Sequence, residues 1–281
     1  MNKSNLIETT DRTFEIDVLE RSQTVPVVID FWADWCQPCR ALAPLLEQMA
    51  EEFAGDVAVV KANTDHCQQA ATEFSVSGIP AIFGVVEGAI VDGLQGVVSE
   101  EVLRVFFRRM VSAGEFVAAK RTEDSNPAAA LATYQKMLAE DPENVPAKIG
   151  LGRASLAAGD VSTATQVLDD LESRGFLEPE AEQLKSRLSL AAALPTGDLG
   201  EMEAQLAADP NNPELKIEVA RMQAAAGNFQ TALDLALAVV ESTQGDRRDP
   251  ARLLMIDIFR TLPDDSPLTG EYRRKLASAL Y

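Results

Sequence analysis

Cysteine, histidine and positive charge are all scarce in this chain. Its 281 residues hold three cysteines and one histidine, with 25 lysines and arginines against 44 aspartates and glutamates. Three cysteines cannot build a disulfide framework, so the fold must rest on apolar cores. The one histidine, His66, adjoins Cys67 without spaced cysteine or histidine partners, so there is no zinc-site signature and no metal is expected. A net charge of −19 repels phosphate backbones and anionic headgroups, which argues against nucleic acid and membrane surfaces as partners. The acidity is general, −9 over residues 1–113 and −10 over 114–281, as solubility requires.

Long apolar runs are also missing. Nothing approaches the roughly 20 residues of a membrane span, and the longest runs, residues 25–32 and 79–86, have the length of buried strands. The first eight residues offer no apolar stretch for a signal peptide, so the expected location is the reducing cytoplasm.

What is present is a globular balance, 46% hydrophobic and 25% charged, over a length that suits two domains of about 150 residues each. Up to residue 113, short β-rich runs alternate with helical stretches, the pattern of an α/β domain. Strands are expected at 25–32, 57–63, 81–86 and 89–94, and helices at 36–53, 66–74 and 99–110, the last with an apolar face of Val102, Leu103, Phe106 and Phe107. Beyond Gly114 the β-branched runs vanish and the chain reads as all helix, which places a domain boundary near Ser112-Ala113-Gly114 and gives domains 1–113 and 114–281.

The second half repeats itself. Residues 141–171 lie over 209–239 without a gap, with eleven of 31 positions identical: Asp141, Pro142, Asn144, Lys148, Ile149, Arg153, Ala157, Ala158, Gly159, Thr163 and Ala164 recur 68 residues later. That offset is twice 34, the tetratricopeptide period. In each copy the Asp-Pro-x-Asn start opens a helix, Gly159 or Gly227 permits a tight turn, and Ala164 or Ala232 lets two helices approach closely. Such hairpins bury their apolar faces by stacking. The flanking stretches at 127–140 and 178–194 keep helical spacing without the signature, so the repeats are divergent; a plain helical bundle is the alternative.

The chemistry concentrates at residues 27–44, where a buried strand runs into Cys36-Gln37-Pro38-Cys39 at a helix start. A sulfur at a helix N-terminus faces unpaired backbone N–H groups and the positive dipole end, which favour thiolate over thiol. Bringing a thiol from about 8.5 to about 7 takes roughly 2 kcal/mol, within reach of those effects. Cys36 is then the nucleophile. Cys39, one turn further in and expected to be the more buried, resolves a mixed disulfide on Cys36. Gln37 and Pro38 tune how oxidising the pair is. Asp30 lies inside the apolar strand, where burial raises its pKa and suits it to accept the Cys39 proton; a hydrogen-bonded structural aspartate is the alternative. Cys67, at another helix start, is either a thiol for mixed disulfides with clients or a half-buried cysteine without a role.

The segment Phe31-Trp32-Ala33-x-Trp35-Cys36-x-Pro38-Cys39, with Pro44 beyond it, resembles the thioredoxin active-site segment. Gly78-Ile79-Pro80 is similar to that family's cis-proline loop, Lys61 to its buried lysine partner of the aspartate, and Gly88 and Gly96 to its late glycines. The resemblance implies a thioredoxin fold over residues 1–113, catalytic roles for Cys36, Cys39, Asp30 and Lys61, and client binding by Trp35, Gln37, Pro38, Ile79 and Pro80. It implies no cofactor.

A thioredoxin domain followed by divergent tetratricopeptide-like helices and the basic-apolar end Tyr272-Arg273-Arg274-Lys275-Leu276 through Leu280-Tyr281 resembles the chaperedoxin family, also called CnoX or YbbN. That resemblance implies a holdase which keeps unfolded clients soluble, guards their cysteines through mixed disulfides, and passes them to the GroEL-type chaperonin or the DnaK-type Hsp70 system. It implicates Arg273, Arg274, Lys275, Leu280 and Tyr281 in chaperonin docking; a capping helix is the alternative. Some members lack the first cysteine; here both are present, which favours real thiol–disulfide exchange, with thioredoxin reductase as a further partner. Two rival functions fit the same residues: a specialised disulfide reductant whose helices select partner enzymes, and a scaffold with a vestigial dithiol.

Overall fold

The computed structural model describes residues 6–192, 198–262 and 266–280, the side chain of residue 192 excepted. The first five residues, Leu194 and Tyr281, which the sequence reading drew on, lie outside the described residues. The chain divides into two compact units, Met1–Arg121 and Thr122–Tyr281.

The first unit is an α/β domain built on a five-stranded sheet. Its strands are β1 (Leu6–Thr9), β2 (Val27–Trp32), β3 (Ala58–Asn63), β4 (Ala81–Val86) and β5 (Ala89–Gln95), in the order β1-β3-β2-β4-β5. β1, β3 and β2 run parallel, and β4 and β5 are antiparallel to their neighbours. β2 sits at the centre and is covered on both faces, so its apolar run is continuous rather than alternating. Val27, Ile29 and Phe31 join Phe14, Val60, Phe74 and Val85 in one core, while Val28 joins Leu42, Met49, Ile82, Phe106 and Phe107 in the other. The helices are α1 (Gln37–Glu52), α2 (Gln68–Glu73) and α3 (Glu100–Thr122). β1 and the π-helical turn Glu15–Glu20 have no counterpart in the sequence reading; β1 is four residues long, too short for a periodic signal, and gains its place by pairing with β3.

Two expectations are corrected here. α3 does not end near Met110 but runs on to Thr122, so the boundary expected at Ser112-Ala113-Gly114 falls inside a helix and the two units part after Arg121. Gly114 is a packing residue rather than a break: a Cβ there would stand 2.5 Å from the Pro26 ring. The end of α3 is tied down by Arg121, which donates to the Gln23 carbonyl at 2.7 Å and pairs with Glu87 at 2.8 Å. Leu103, Phe106 and Phe107 are buried as expected, but Val102 is 44% exposed because the apolar stripe of α3 passes it by.

Among the described residues the second unit is all helix: α4 (Pro127–Glu140), α5 (Val145–Ala157), α6 (Val161–Ser173), α7 (Pro179–Ala192), α8 (Leu199–Ala208), α9 (Pro213–Ala225), α10 (Phe229–Ser242), α11 (Asp249–Thr261) and α12 (Pro267–Leu280), with a 3-10 turn at Gly245–Arg248. The two sequence copies fold as the helix pairs α5/α6 and α9/α10, and they share the first-helix cap and the inter-helix turn, though Asp160 caps α6 through its side chain and the side chain of the equivalent Asn228 does not cap α10. Asn144 and Asn212 cap α5 and α9 by accepting from Ala147 N–H at 3.0 Å and Leu215 N–H at 3.1 Å. Asp141 and Asp209 instead end the preceding helices α4 and α8. Gly159 and Gly227 take φ +81° and +83°, and the next residues close the turn by donating to Ser155 O at 2.9 Å and Gln223 O at 2.8 Å. Ala164 and Ala232 are completely buried where the paired helices approach.

Candidate active site

β2 delivers the site. Its last residue, Trp32, leads through Ala33 into a tight turn in which Cys36 N–H donates to Ala33 O at 3.0 Å. Cys36 is therefore the N-cap of α1, with extended backbone, and its Sγ accepts from Cys39 N–H at 3.2 Å. Pro38 fits at the helix start because the N–H it lacks would be unpaired there. Cys36 and Cys39 are joined as a disulfide, with an S–S distance of 2.03 Å. The expected difference in burial is absent: Cys36 is 3% and Cys39 5% exposed, since Ala33, Trp32 and Ile79 pack over both. The exposed surface around the pair belongs to Trp35, at 68%, and to Gln37 and Pro38.

Two side chains brace this turn. Trp35 Nε1 donates to Asp65 Oδ1 at 3.4 Å, and Arg40 Nη1 donates to the Asp34 carbonyl at 2.7 Å. The Ile79–Pro80 peptide is cis. Ile79, half-buried, packs on the dithiol cluster, and Pro80 is buried with its carbonyl accepting from Gly96 N–H at 2.8 Å.

Asp30 and Lys61 face each other in the parallel register of β2 and β3. Asp30 is 3% exposed and its Oδ1 has no hydrogen-bond partner, so the hydrogen-bonded structural aspartate is not what the structure holds at that oxygen. Burial pushes the Asp30 carboxyl up to about 6, against the opposing pull of the Lys61 charge. Lys61 is half-buried rather than buried, and its Nζ lies 4.6 Å over the centre of the Trp32 ring. Trp32, Asp65 and Arg40 were not singled out from the sequence. Trp32 stood in the motif without a role, and the others depend on loop contacts with no local signal.

Cys67 lies deeper than either reading of it expected. It is fully buried, its thiol donates to Thr9 O at 3.3 Å, and burial, aided by the nearby Asp11 charge, pushes its pKa up to about 11. The start of α2 does nothing for this sulfur because Asp11 already caps it, accepting from Gln69 N–H at 3.2 Å and Ala70 N–H at 3.1 Å. Burial and the raised pKa both disfavour a reactive thiolate at this position.

At the C-terminal end, Arg273, Arg274 and Lys275 are exposed, but Leu276 is buried and Leu280 half-buried against the core of the second unit. The expected exposed apolar end is thus turned inward at these positions. Arg273 lies 5.7 Å over the Phe259 ring; Lys275 lies 4.3 Å over Tyr272 and pairs with Glu271 at 2.6 Å. Among the described residues no cluster of three or more histidine, cysteine or acidic side chains could hold a metal, and no helix is long and apolar enough to cross a membrane.

Comparison with known proteins agrees with this geometry. A thioredoxin family model matches residues 5–109, and two tetratricopeptide-repeat models match 121–188 and 192–281. Thioredoxin C-2 of Corynebacterium nephridii is 37% identical over 103 residues, covering 37% of this chain and 94% of that protein. Thioredoxin 1 of Synechococcus elongatus is 40% identical over 94 residues, 34% of this chain and 86% of its own length. Thioredoxin 1 of Chlorobaculum tepidum is 49% identical over 75 residues, 27% of this chain and 74% of its own. Cys-x-x-Cys pair, cis-proline loop and buried aspartate on the central strand thus stand in a domain that places the chain in the thioredoxin family, with tetratricopeptide repeats following in the same chain.

Proposed function

We propose that the protein is a cytoplasmic holdase of the chaperedoxin type with a working dithiol. The observation that carries this reading is the union, in one chain, of an oxidisable Cys36–Cys39 pair beside exposed Trp35, Gln37 and Pro38 with a unit of helix hairpins. In the reduced protein the Cys36 thiolate attacks a client disulfide, forming a mixed disulfide and expelling one client thiolate. Cys39, giving its proton to Asp30, then attacks the Cys36 sulfur; the Cys36–Cys39 bond forms and the second client thiolate leaves. Lys61 moderates the basicity of Asp30, and Ile79 and Pro80 line the client's approach. Thioredoxin reductase restores the dithiol. The groove of Ile256, Phe259, Leu276 and Leu280 beside Arg260 and Arg273 supports apolar contacts on the repeat unit. Clients pass from there to the chaperonin or Hsp70 system, with Arg273, Arg274, Lys275 and Leu280 as the docking candidates.

The test is light scattering of a chemically unfolded client diluted into equimolar protein, wild type beside Cys36→Ser/Cys39→Ser. Suppression by both is expected, with insulin reduction by the wild type alone. No suppression by either, before or after oxidant treatment, overturns the holdase and leaves the specialised reductant.

A further inference from the structure

Trp32 carries a cost that its position does not repay by hydrogen bonding. Its Nε1 is buried with no partner, and an unmade bond of this kind costs about 1–3 kcal/mol. A phenylalanine would fill the same strand position without that loss. What tryptophan adds is the aromatic face with the strongest attraction for a cation, and a cation stands on it: Lys61 Nζ at 4.6 Å. The side chains of Asp30 and Trp32 leave β2 on the same face, two residues apart, and Lys61 pairs with Asp30 in the β2–β3 register. The lysine thus sits on the indole and acts on the carboxylate through space, without a direct ion pair.

We propose that Trp32 is a positioning residue for the dithiol site: its indole face holds the Lys61 ammonium beside Asp30, and so sets how readily Asp30 takes a proton. Around Asp30, β3 supplies Lys61, and β4 supplies the uncharged Ile82 directly opposite. At the start of α1, Cys36 as its N-cap and Cys39 in its first turn carry no charge as a disulfide. Lys61 is therefore the charge whose placement decides the matter, and a half-buried lysine left unheld turns its ammonium to water. The link from Asp30 to Cys39 rests on the dithiol-exchange reading; the placement of Lys61 does not.

The experiment follows the Asp30 carboxyl carbon by NMR against pH in the oxidised full-length protein, for wild type, Trp32→Leu, Lys61→Met and the double variant. Trp32→Leu is expected to lower the acid dissociation constant of Asp30 by about two- to fivefold, the range of an ordinary cation–π contact. In the Lys61→Met background the same substitution has no such effect. Equal shifts in both backgrounds, or none in either, overturn the proposal, because a merely structural tryptophan acts irrespective of the lysine. The Lys61 ε-methylene protons supply a second reading: upfield ring-current shifts in the wild type, lost in Trp32→Leu. Their absence in the wild type also overturns it. Should Trp32→Leu not fold, Trp32→Phe keeps the ring and is expected to give a smaller change of the same sign; no change in either reading overturns it. Insulin reduction by the wild type is run alongside. Its failure would count against dithiol exchange and leave the carboxyl titration interpretable.

Discussion

Arg153 clasps Glu123 through two parallel hydrogen bonds, Nε to Oε2 and Nη2 to Oε1, each 2.8 Å long. Tyr134 OH donates to Oε1 of the same carboxylate at 2.5 Å. Glu123 is 7% exposed and Tyr134 not at all, so the carboxylate has no ready supply of water. Breaking a buried pair by removing one partner typically costs about 3–5 kcal/mol, because the other charge is left unpaired. Arg153→Met should therefore destabilise the helical unit by that order, read as a lower urea midpoint. Glu123→Gln combined with Arg153→Met should cost clearly less than the two single losses added. An additive pair of effects would show that the clasp is not a unit.

Asp30 makes stability depend on pH with a definite sign. Its folded pKa, about 6, lies above the ordinary 3.8, so between these values the folded state binds more protons than the unfolded one. Stability then falls as pH rises through this window, and the whole penalty stands above about pH 6. Asp30→Asn removes it. The variant should gain about 2–3 kcal/mol over wild type on going from pH 4 to pH 8. Denaturant titrations of both proteins at the two pH values check this, and a difference independent of pH would contradict the buried, unpaired carboxyl.

The readable parts of this protein are those whose signal lies within one element. β2, β3 and β4 announce themselves as apolar runs, and the dithiol as a strand running into a capped helix. The 68-residue repeat shows because the capping asparagines and turn glycines must recur wherever the hairpin does. What escaped the sequence depends on partners far along the chain. Gly114 looked like a break, but Pro26 occupies the space where its side chain would stand. Cys67 looked like a thiol at a helix start, but Asp11 had taken the cap. The Lys61–Trp32 contact exists only through the pairing of β2 with β3, which no run of either strand reveals.

Gly159 and Gly227 offer a paired test of the repeat. Both have φ near +80°, where a Cβ is strained even though the space around it is open. An alanine there should cost about 1–2 kcal/mol per site through backbone conformation alone. Because the two turns close with the same hydrogen bonds, Gly159→Ala and Gly227→Ala should shift the thermal midpoint of the helical unit by similar amounts. Asparagine, which tolerates the left-handed region better, should recover part of the loss at both. A large effect at one site and none at the other would mean that the copies match in sequence but not in energetics.

The three sulfurs should separate cleanly by reactivity. In the oxidised protein Cys36 and Cys39 are spent on each other and Cys67 is sealed, so a thiol reagent such as Ellman's should titrate nothing until the protein is unfolded. After reduction and removal of the reductant, two thiols should react in the native state, and the third only on denaturation. The reason is double: Cys67 has no exposed surface, and burial holds its thiol near a pKa of about 11, so at neutral pH almost none is thiolate, the nucleophilic form. Cys67→Ser should leave insulin reduction unchanged, since the proposed exchange passes through Cys36 and Cys39 alone. A third native thiol reacting as fast as the first two would require the segment from Thr9 to Asp11 to open, breaking the Cys67–Thr9 hydrogen bond and the Asp11 cap of α2 together.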